Sequence, residues 1–275
     1  MTTALGPSGD YVSFGIVTVD TDVGIRGIGE ISMWWNGGGA PLCATVKERL
    51  GPVLVGSSPF EITRAIAKMD DAVQFSPAAN PAKAAVEMAL FDIIGRKLGV
   101  PVYTLLGGRV RERALLSKSI MMESIEGMVK QARGFVEQGF TGVKVKVGVD
   151  HDQDVAAVTA IRQAVGPHIV IRLDANMGWR SAKEALAVIN KLTPLGIRAV
   201  EQPLAREAID DLAYLRTHCT SPIMVDESLW GPEDAHRVIH ARAADLLNVY
   251  VSEAGGLRNA MRIFDMAKAP ACSAP

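Results

Sequence analysis

The spacing of hydrophobic residues changes near residue 115 and divides the chain into two kinds of pattern. Residues 11–18 are rich in Val, Ile and Gly and precede a turn-forming stretch at 20–24, a pattern typical of an antiparallel hairpin. Residues 41–70 indicate helices interrupted by Gly and Pro. A longer helix is predicted from about Pro81, because apolar residues recur there at helical spacing until Gly99.

Beyond residue 115, short apolar runs alternate with helical segments such as 124–138 and 181–191. The six runs are 115–122, 142–148, 169–176, 199–203, 222–228 and 246–251. Alternating strands and helices predict a parallel sheet whose crossovers cover one face. The predicted fold class is α/β, an incomplete (β/α) TIM-type barrel with about six βα units. We expect residues 1–112 and 113–275 to form two domains.

Chemically active residues recur near the ends of five of these runs. They are Lys146, Asp174, Glu201, Asp226 and Tyr250, at intervals of 28, 27, 25 and 24 residues. Each interval fits one βα unit, and a barrel would bring all five to one opening. An open doubly wound sheet is the rival architecture and would spread them along a line. The sequence contains no G-x-G-x-x-G or P-loop motif that would favour that rival.

Three of these residues are carboxylates and are candidate metal ligands: Asp174, Glu201 and Asp226. Converging carboxylates at buried strand ends repel one another unless a cation lies between them. Oxygen ligands favour Mg²⁺, Mn²⁺ or Ca²⁺ over zinc. The alternative is that each carboxylate caps the following helix or pairs with a surface lysine.

Two lysines, Lys144 and Lys146, share one strand in the segment GVKVKVG. Alternation places both side chains on the same face. Because like charges disfavour protonation, we expect each lysine to lower the pKa of the other, which would suit a general base. The alternative is a solvated edge strand that carries ordinary lysines.

The ordered motifs GVKVKVG, LDAN, VEQP, VDES and VYVSEAGGL resemble the mandelate racemase/muconate lactonizing enzyme branch of the enolase superfamily. The segment AAVEMALFDIIGRKLGVPVYTLLGG resembles the linker between that branch's capping domain and barrel, and the similarity spans about residues 12–270. This superfamily uses a Lys or His base with Mg²⁺ to stabilise an ene-diolate.

The resemblance implies Mg²⁺, or Mn²⁺, held by Asp174, Glu201 and Asp226, and abstraction of the proton α to a substrate carboxylate. Lys146 would be the base and Lys144 would support it. Asn176 would face the same opening and contact the substrate. Relatives differ over whether the position of Asp226 or that of Glu227 carries the third ligand, and VDES resembles the muconate lactonizing form, which favours Asp226. Glu227 would then contact the substrate. The outcome would be dehydration, epimerisation, racemisation or cycloisomerisation of a small carboxylic acid.

Two features depart from the family pattern. Many relatives have a lysine where this chain has Tyr250. A neutral tyrosine is more easily an acid or a hydrogen-bond donor, which favours a one-base dehydratase, although a packing aromatic is an equal alternative. The second feature is length, because closure of a barrel takes eight units. We therefore expect a chain that is truncated at both ends, with a partial capping domain of hairpin and helices.

Composition changes this interpretation little. The 275 residues carry a net charge of −1 and a pI near 6.5, which argues against a nucleic-acid partner. No apolar run approaches the roughly 20 residues that span a bilayer, and three separated cysteines indicate a reducing, cytoplasmic location. The resemblance implies a homo-oligomer for the full-length chain. Two alternatives to an active lyase or isomerase stay open: an inactive family member that keeps only the ligand set, and a binding protein for anionic metabolites.

Overall fold

The N-terminal part of the protein contains two antiparallel strand pairs. A computed structural model describes residues 2–3, 6–7, 12–33 and 38–268. Strand β1 (Thr2–Thr3) pairs with β2 (Gly6–Pro7), and β3 (Gly15–Asp20) pairs with β4 (Arg26–Ile31). The predicted hairpin is confirmed, although its first strand begins later than predicted and Tyr11 lies outside the described residues.

Helices pack against this hairpin and continue towards the larger sheet. They are α1 (Leu42–Thr45), a π-helical turn (Val46–Leu50), α2 (Gly51–Leu54), α3 (Ile62–Ala72), a 3₁₀ turn (Pro77–Ala79), α4 (Asn80–Leu98) and α5 (Val102–Leu105). The predicted long helix is α4, which ends at Gly99 in the left-handed conformation that favours glycine (φ 68°). Most of α4 is buried because the hairpin covers one side of it and other helices cover the rest.

Six parallel strands form the second part in sequential order, each joined to the next by a helix. The strands are β5 (Lys118–Ile120), β6 (Gly142–Lys146), β7 (Val170–Asp174), β8 (Ile197–Glu201), β9 (Ile223–Val225) and β10 (Leu246–Leu247). The helices are α6 (Ile125–Glu137), α7 (His151–Val165), α8 (Ala182–Leu192) with a 3₁₀ turn (Thr193–Leu195), α9 (Ile209–His218), α10 (Pro232–His240) and α11 (Leu257–Lys268). The predicted α/β class and partial N-terminal domain are confirmed.

Two outer strands are shorter than the apolar runs predicted. β5 spans three residues of the run 115–122, and β10 spans two residues of the run 246–251. Tyr250 therefore follows its strand and lies outside it. None of the helices in the described ranges is both long and apolar enough to cross a membrane.

The main hydrophobic core lies between the six-stranded sheet and its helices. Val143 and Val145 on β6 are fully buried in the same cluster as Ala157 and Ile161 on α7. Because side chains alternate along a strand, Lys144 and Lys146 point to the opposite face, away from α7. The core thus fixes which face of β6 carries charge.

Candidate active site

Side chains at the carboxyl ends of β6, β7 and β8 lie side by side. The parallel register pairs Lys146 with Asp174 and Asp174 with Glu201. Asp226 directly follows β9, and its backbone N–H donates to Gln202 Oε1 at 2.9 Å. The four consecutive strand ends therefore meet at one edge of the sheet, where active sites of parallel α/β proteins lie.

Both lysines of β6 contact Asp174 at the end of β7, and Lys144 also contacts Glu201 at the end of β8. Lys144 Nζ lies 2.9 Å from Asp174 Oδ2 and 3.0 Å from Glu201 Oε1. Lys146 Nζ donates to Asp174 Oδ2 at 2.7 Å and to Asn176 Oδ1 at 2.6 Å. Asp174 and Glu201 are at most 1% exposed, so these ion pairs lie in a largely water-excluded environment.

The contacts of Lys144 determine the direction in which its pKa moves. Burial alone would lower the pKa of Lys144, but the negative charges of Asp174 and Glu201 outweigh burial and raise it. The expectation that the neighbouring lysine lowers this pKa is wrong for Lys144, because the charges and hydrogen bonds of Asp174 and Glu201 determine the direction of the shift. Burial raises the pKa of Asp174, yet the two lysines outweigh burial and hold it below its usual range.

Asp226 and Glu227 lie at the same opening without such compensation. Burial, followed by the charges of Glu227 and Glu201, raises the pKa of Asp226 to about 9. Glu227 Oε1 accepts a hydrogen bond from Asn176 Nδ2 at 2.9 Å, whereas its Oε2 is buried without a hydrogen-bond partner. Burial also raises the pKa of Glu227. This side of the site lacks the nearby positive charge that would keep its carboxyl groups ionised at neutral pH.

The predicted ligands fit a hard divalent cation by their chemistry, although their positions are not those of a formed metal site. Across the described ranges, no three His, Cys, Asp or Glu side chains are arranged to hold a metal ion. The ammonium of Lys144 instead lies within 3.0 Å of oxygens from both Asp174 and Glu201. The unpartnered Oε2 of Glu227 and the raised pKa of Asp226 both indicate a place for added positive charge. An all-oxygen donor set suits Mg²⁺.

Tyr250 lies near the carboxylates but is only partly covered. Its side chain is 46% exposed, and burial together with the charge of Asp226 raises its pKa. The phenol is therefore neutral at physiological pH. A residue that sequence reasoning missed, Asn248, donates from Nδ2 to Glu201 Oε1 at 3.3 Å. Its place in the apolar run 246–251, directly after β10, was the available signal.

Gln202 is a second residue that sequence reasoning missed. It is fully buried and has a positive φ of 36°. Its Oε1 accepts hydrogen bonds from the backbone N–H groups of Asp226 and Ser228, and its Nε2 donates to Ser228 Oγ and the Leu204 carbonyl. Gln202 thus joins the segment after β8 to the segment after β9. Its place next to Glu201 in VEQP was the only sequence signal.

Comparison with known families identifies the class of protein. Residues 127–273 match the family described as Enolase C-terminal domain-like. Residues 3–107 match the N-terminal domain of mandelate racemase and muconate lactonizing enzyme. The chain therefore belongs to the mandelate racemase/muconate lactonizing enzyme branch of the enolase superfamily, a family of enzymes, as its motifs predicted.

The names of individual relatives describe several different reactions. The chain is 33% identical to an N-succinyl-L-Arg/Lys racemase of Bacillus cereus over 260 residues, which cover 92% of this chain and 69% of that protein. It is 34% identical to a hydrophobic dipeptide epimerase of Enterococcus faecalis over 250 residues, which cover 90% of this chain and 69% of the relative. Other relatives are named as muconate cycloisomerases and as a cis-3-hydroxy-L-proline dehydratase.

One protein of similar fold has a crystal structure that contains a bound metal. A dipeptide epimerase of Cytophaga hutchinsonii, solved with Mg and the dipeptide D-Ala-L-Val, superposes with a TM-score of 0.90 at 30% identity. The superposition covers 97% of this chain and 72% of the epimerase. The predicted barrel-type fold is therefore confirmed, and Mg is bound by structural relatives of this chain.

Proposed function

We propose that this protein removes the proton α to the carboxylate of a small organic acid, with Lys146 as the base. The observation that carries the proposal is the placement of Lys146 Nζ within hydrogen-bond distance of both Asp174 and Asn176 at the carboxyl end of β6. A lysine buried beside a candidate cation site would lie close to the α-proton of a substrate whose carboxylate binds the cation. Membership of the enolase superfamily supports the same chemistry.

Asp174, Glu201 and Asp226 are the proposed ligands of Mg²⁺, for which Mn²⁺ could substitute. The bound cation would supply positive charge next to the substrate carboxylate, where negative charge develops as the proton leaves. The lack of positive charge around Asp226 and the unpartnered Oε2 of Glu227 support this assignment. Glu227 and Asn176, which hydrogen-bond to each other, would contact the substrate or its carboxylate.

Lys144 would support the reaction without being the base. Its ion pairs with Asp174 and Glu201 raise its pKa, so it remains an ammonium at neutral pH. An ammonium there balances the proposed ligands and can interact with a substrate carboxylate. Lys146 lies two residues further along β6, at the end of the strand.

The fate of the carbanion depends on the opposite face of the substrate. Both lysines come from β6, and Tyr250 follows β10, four strands away in the sheet. A neutral phenol can protonate a departing hydroxyl group or the carbanion itself, but it is a poor base at pH 7. This supports dehydration by one base, and a relative named as a cis-3-hydroxy-L-proline dehydratase is consistent with that outcome. Epimerisation is the second candidate, because the racemase and the dipeptide epimerases are close relatives.

The names of the relatives suggest the substrate class. They include an N-succinyl amino acid racemase and dipeptide epimerases, whose substrates by name are amino acids acylated on nitrogen. We therefore propose acylated or cyclic amino acids with a free carboxylate, and no nucleic-acid or membrane partner. Residues 1–112 would form a capping domain and residues 113–275 the barrel part, and the protein would be a homo-oligomer.

Proton exchange with solvent tests the proposal directly. The protein is incubated with Mg²⁺ in D₂O and a panel of dipeptides, N-succinyl amino acids and 3-hydroxyproline, and loss of the α-proton signal is followed by NMR. Exchange on at least one compound, removed by EDTA and restored by Mg²⁺, is expected. A folded protein that binds Mg²⁺ by calorimetry but exchanges no α-proton across the panel would contradict the proposed activity.

A further inference from the structure

Helix α4 of the N-terminal part reaches two segments that border the site. Asn80 is 7% exposed, and its Nδ2 donates to the Trp230 carbonyl at 2.9 Å and to the Glu253 carbonyl at 2.7 Å. Trp230 lies four residues after Asp226, and Glu253 lies three residues after Tyr250. One side chain therefore joins the segment after β9 to the segment after β10.

Glu87 lies on the same face of α4, two helical turns further along. It is fully buried, and its carboxylate accepts a hydrogen bond from the backbone N–H of Arg258 at 3.4 Å. The backbone N–H of Leu257 also bonds to it. Because these residues begin α11, the carboxylate satisfies amide groups that have no partner within the helix. Glu87 thus fixes the start of the helix that follows the segment 250–256.

Two glycines allow α4 to approach this segment so closely. Gly255 has φ 83° and Gly256 has φ 133°, both in the region that favours glycine. A Cβ at Gly255 would lie 3.2 Å from Asn80 Oδ1, and a Cβ at Gly256 would overlap the carboxylate of Glu87. The approach therefore requires glycine at both positions, which gives a physical reason for the pair in the motif VYVSEAGGL.

We propose that Asn80 and Glu87, the α4 clamp, are positioning residues that hold segments 226–230 and 250–256 against the ends of β6–β8. The clamp places Asp226 and Tyr250 at distances from Lys146 that are set by α4. A displacement of about 1 Å at such a site can cost about 100-fold in rate. The catalytic consequence rests on the proposed function, whereas the clamp itself is a property of the folded chain.

The physical part of the proposal is tested without any substrate. Asn80→Asp keeps the shape of the side chain but replaces the donor nitrogen with an oxygen that repels the two carbonyl groups. Hydrogen exchange is followed by mass spectrometry on the whole chain. Faster exchange is expected in peptides that cover 226–231 and 250–257, with no change at 142–147 and 197–201. Asn190→Asp is the matched control, because Asn190 is exposed on α8.

Two results would overturn the clamp. One is unchanged exchange at both segments, and the other is a uniform increase over the whole protein, which would indicate general destabilisation. Glu87→Gln extends the test, because the amide keeps an acceptor but loses the charge, and Glu126→Gln at an exposed position on α6 is its control. We expect faster hydrogen exchange at 255–260 in Glu87→Gln and no change there in Glu126→Gln.

The catalytic part is measured on whichever substrate exchanges its α-proton. Asn80→Asp is expected to lower kcat by about 10- to 100-fold while KM for the substrate changes less than about two-fold. A rise in KM with unchanged kcat would overturn the positioning role. An unchanged kcat together with faster hydrogen exchange at 250–257 would also overturn it. If the wild-type protein exchanges no substrate proton, the proposed function fails, and the hydrogen-exchange result still decides whether the clamp exists.

Discussion

The site divides into two halves that hold similar buried acids in different electrostatic surroundings. The lysine half consists of Lys144, Lys146, Asp174 and Glu201, and the carboxylate half consists of Asp226 and Glu227. Two lysines hold the pKa of Asp174 below its usual range despite burial. Within the part of the chain that the structure describes, no Lys, Arg or His forms an ion pair with Asp226, and its pKa rises to about 9.

This difference shows where positive charge is missing. Buried charge is stable only when it is paired, and in the lysine half both carboxylates lie within 3.0 Å of a lysine nitrogen. The carboxylate half lacks that balance and retains a buried carboxylate oxygen, Glu227 Oε2, without a hydrogen bond. We infer that the two lysines of the lysine half serve proton transfer, and that a cation held by the proposed ligands Asp174, Glu201 and Asp226 would supply the positive charge that the carboxylate half lacks.

The largest expected effect separates charge from basicity in the lysine half. Lys146→Arg keeps a cation beside Asp174, but a guanidinium cannot give up its proton near neutral pH. Exchange of the substrate α-proton, measured by NMR in D₂O, should fall on the order of 10⁴-fold, the upper range for a general base. Lys191→Arg, at a position 58% exposed, is the control. If Lys146→Arg still exchanges the substrate α-proton, Lys146 is not the base.

A second substitution tests whether the carboxylate half needs a cation. Asp226→Asn should weaken Mg²⁺ binding by calorimetry on the order of 10³-fold, because loss of one member of a buried charge pair costs roughly 3–5 kcal/mol. The same change should alter the stability of the metal-free protein little at pH 7, because a carboxyl group with a pKa of about 9 is already uncharged there. Asp152→Asn, at a side chain 96% exposed, should change neither property. Unaltered Mg²⁺ affinity would contradict the assignment of Asp226 as a ligand.

Glu87 offers a buried carboxylate of the same kind outside the site. Burial raises its pKa from 4.5 to about 7. Since the folded state binds this proton more tightly than the unfolded chain, stability contributed by the protonated form is present below about pH 4.5 and is lost as pH rises through 7. The shift corresponds to about 3 kcal/mol at most. Glu87→Gln should therefore flatten the free energy of unfolding between pH 5 and 8, as measured by urea denaturation.

The pH dependence has a clear contrary outcome. If the wild type and Glu87→Gln lose stability in parallel between pH 5 and 8, the cost of the buried carboxylate does not come from Glu87. Glu126→Gln should retain the full pH dependence, because that side chain is exposed. The result measures the cost of a buried carboxylate that is held by backbone amides in this fold, and it gives a reference for the cost of Asp226 and Glu227.

Local patterns in the sequence were sufficient for the sheet and for much of the site's placement. Alternation predicted that Lys144 and Lys146 share a face, and spacing by one βα unit predicted that Asp174 and Glu201 lie side by side, as the register has them. Both inferences need only the period of a strand and the parallel order of a sheet. The roles of these residues remain predictions.

Other features depend on contacts that no local pattern encodes. Asn80 meets the Glu253 carbonyl across 173 residues, and only the packing of α4 on the segment after β10 brings them together. The pKa of Lys144 was predicted in the wrong direction because its partners come from two other strands. Strand ends were also misjudged at β10, where an apolar run continues past the last backbone pairing.

The smallest expected effect concerns Tyr250, which lies at the border of the carboxylate half. Tyr250→Phe removes the hydroxyl but keeps the ring, and because the side chain is 46% exposed, stability should change little. If the phenol donates a proton to a departing hydroxyl group, product formation should fall by less than about ten-fold, because water can replace it, while exchange of the α-proton stays unchanged. NMR in D₂O measures both quantities in one sample. Equal losses of exchange and product would instead mean that Tyr250 acts at the step in which Lys146 removes the proton, and the two halves of the site would no longer have separate tasks.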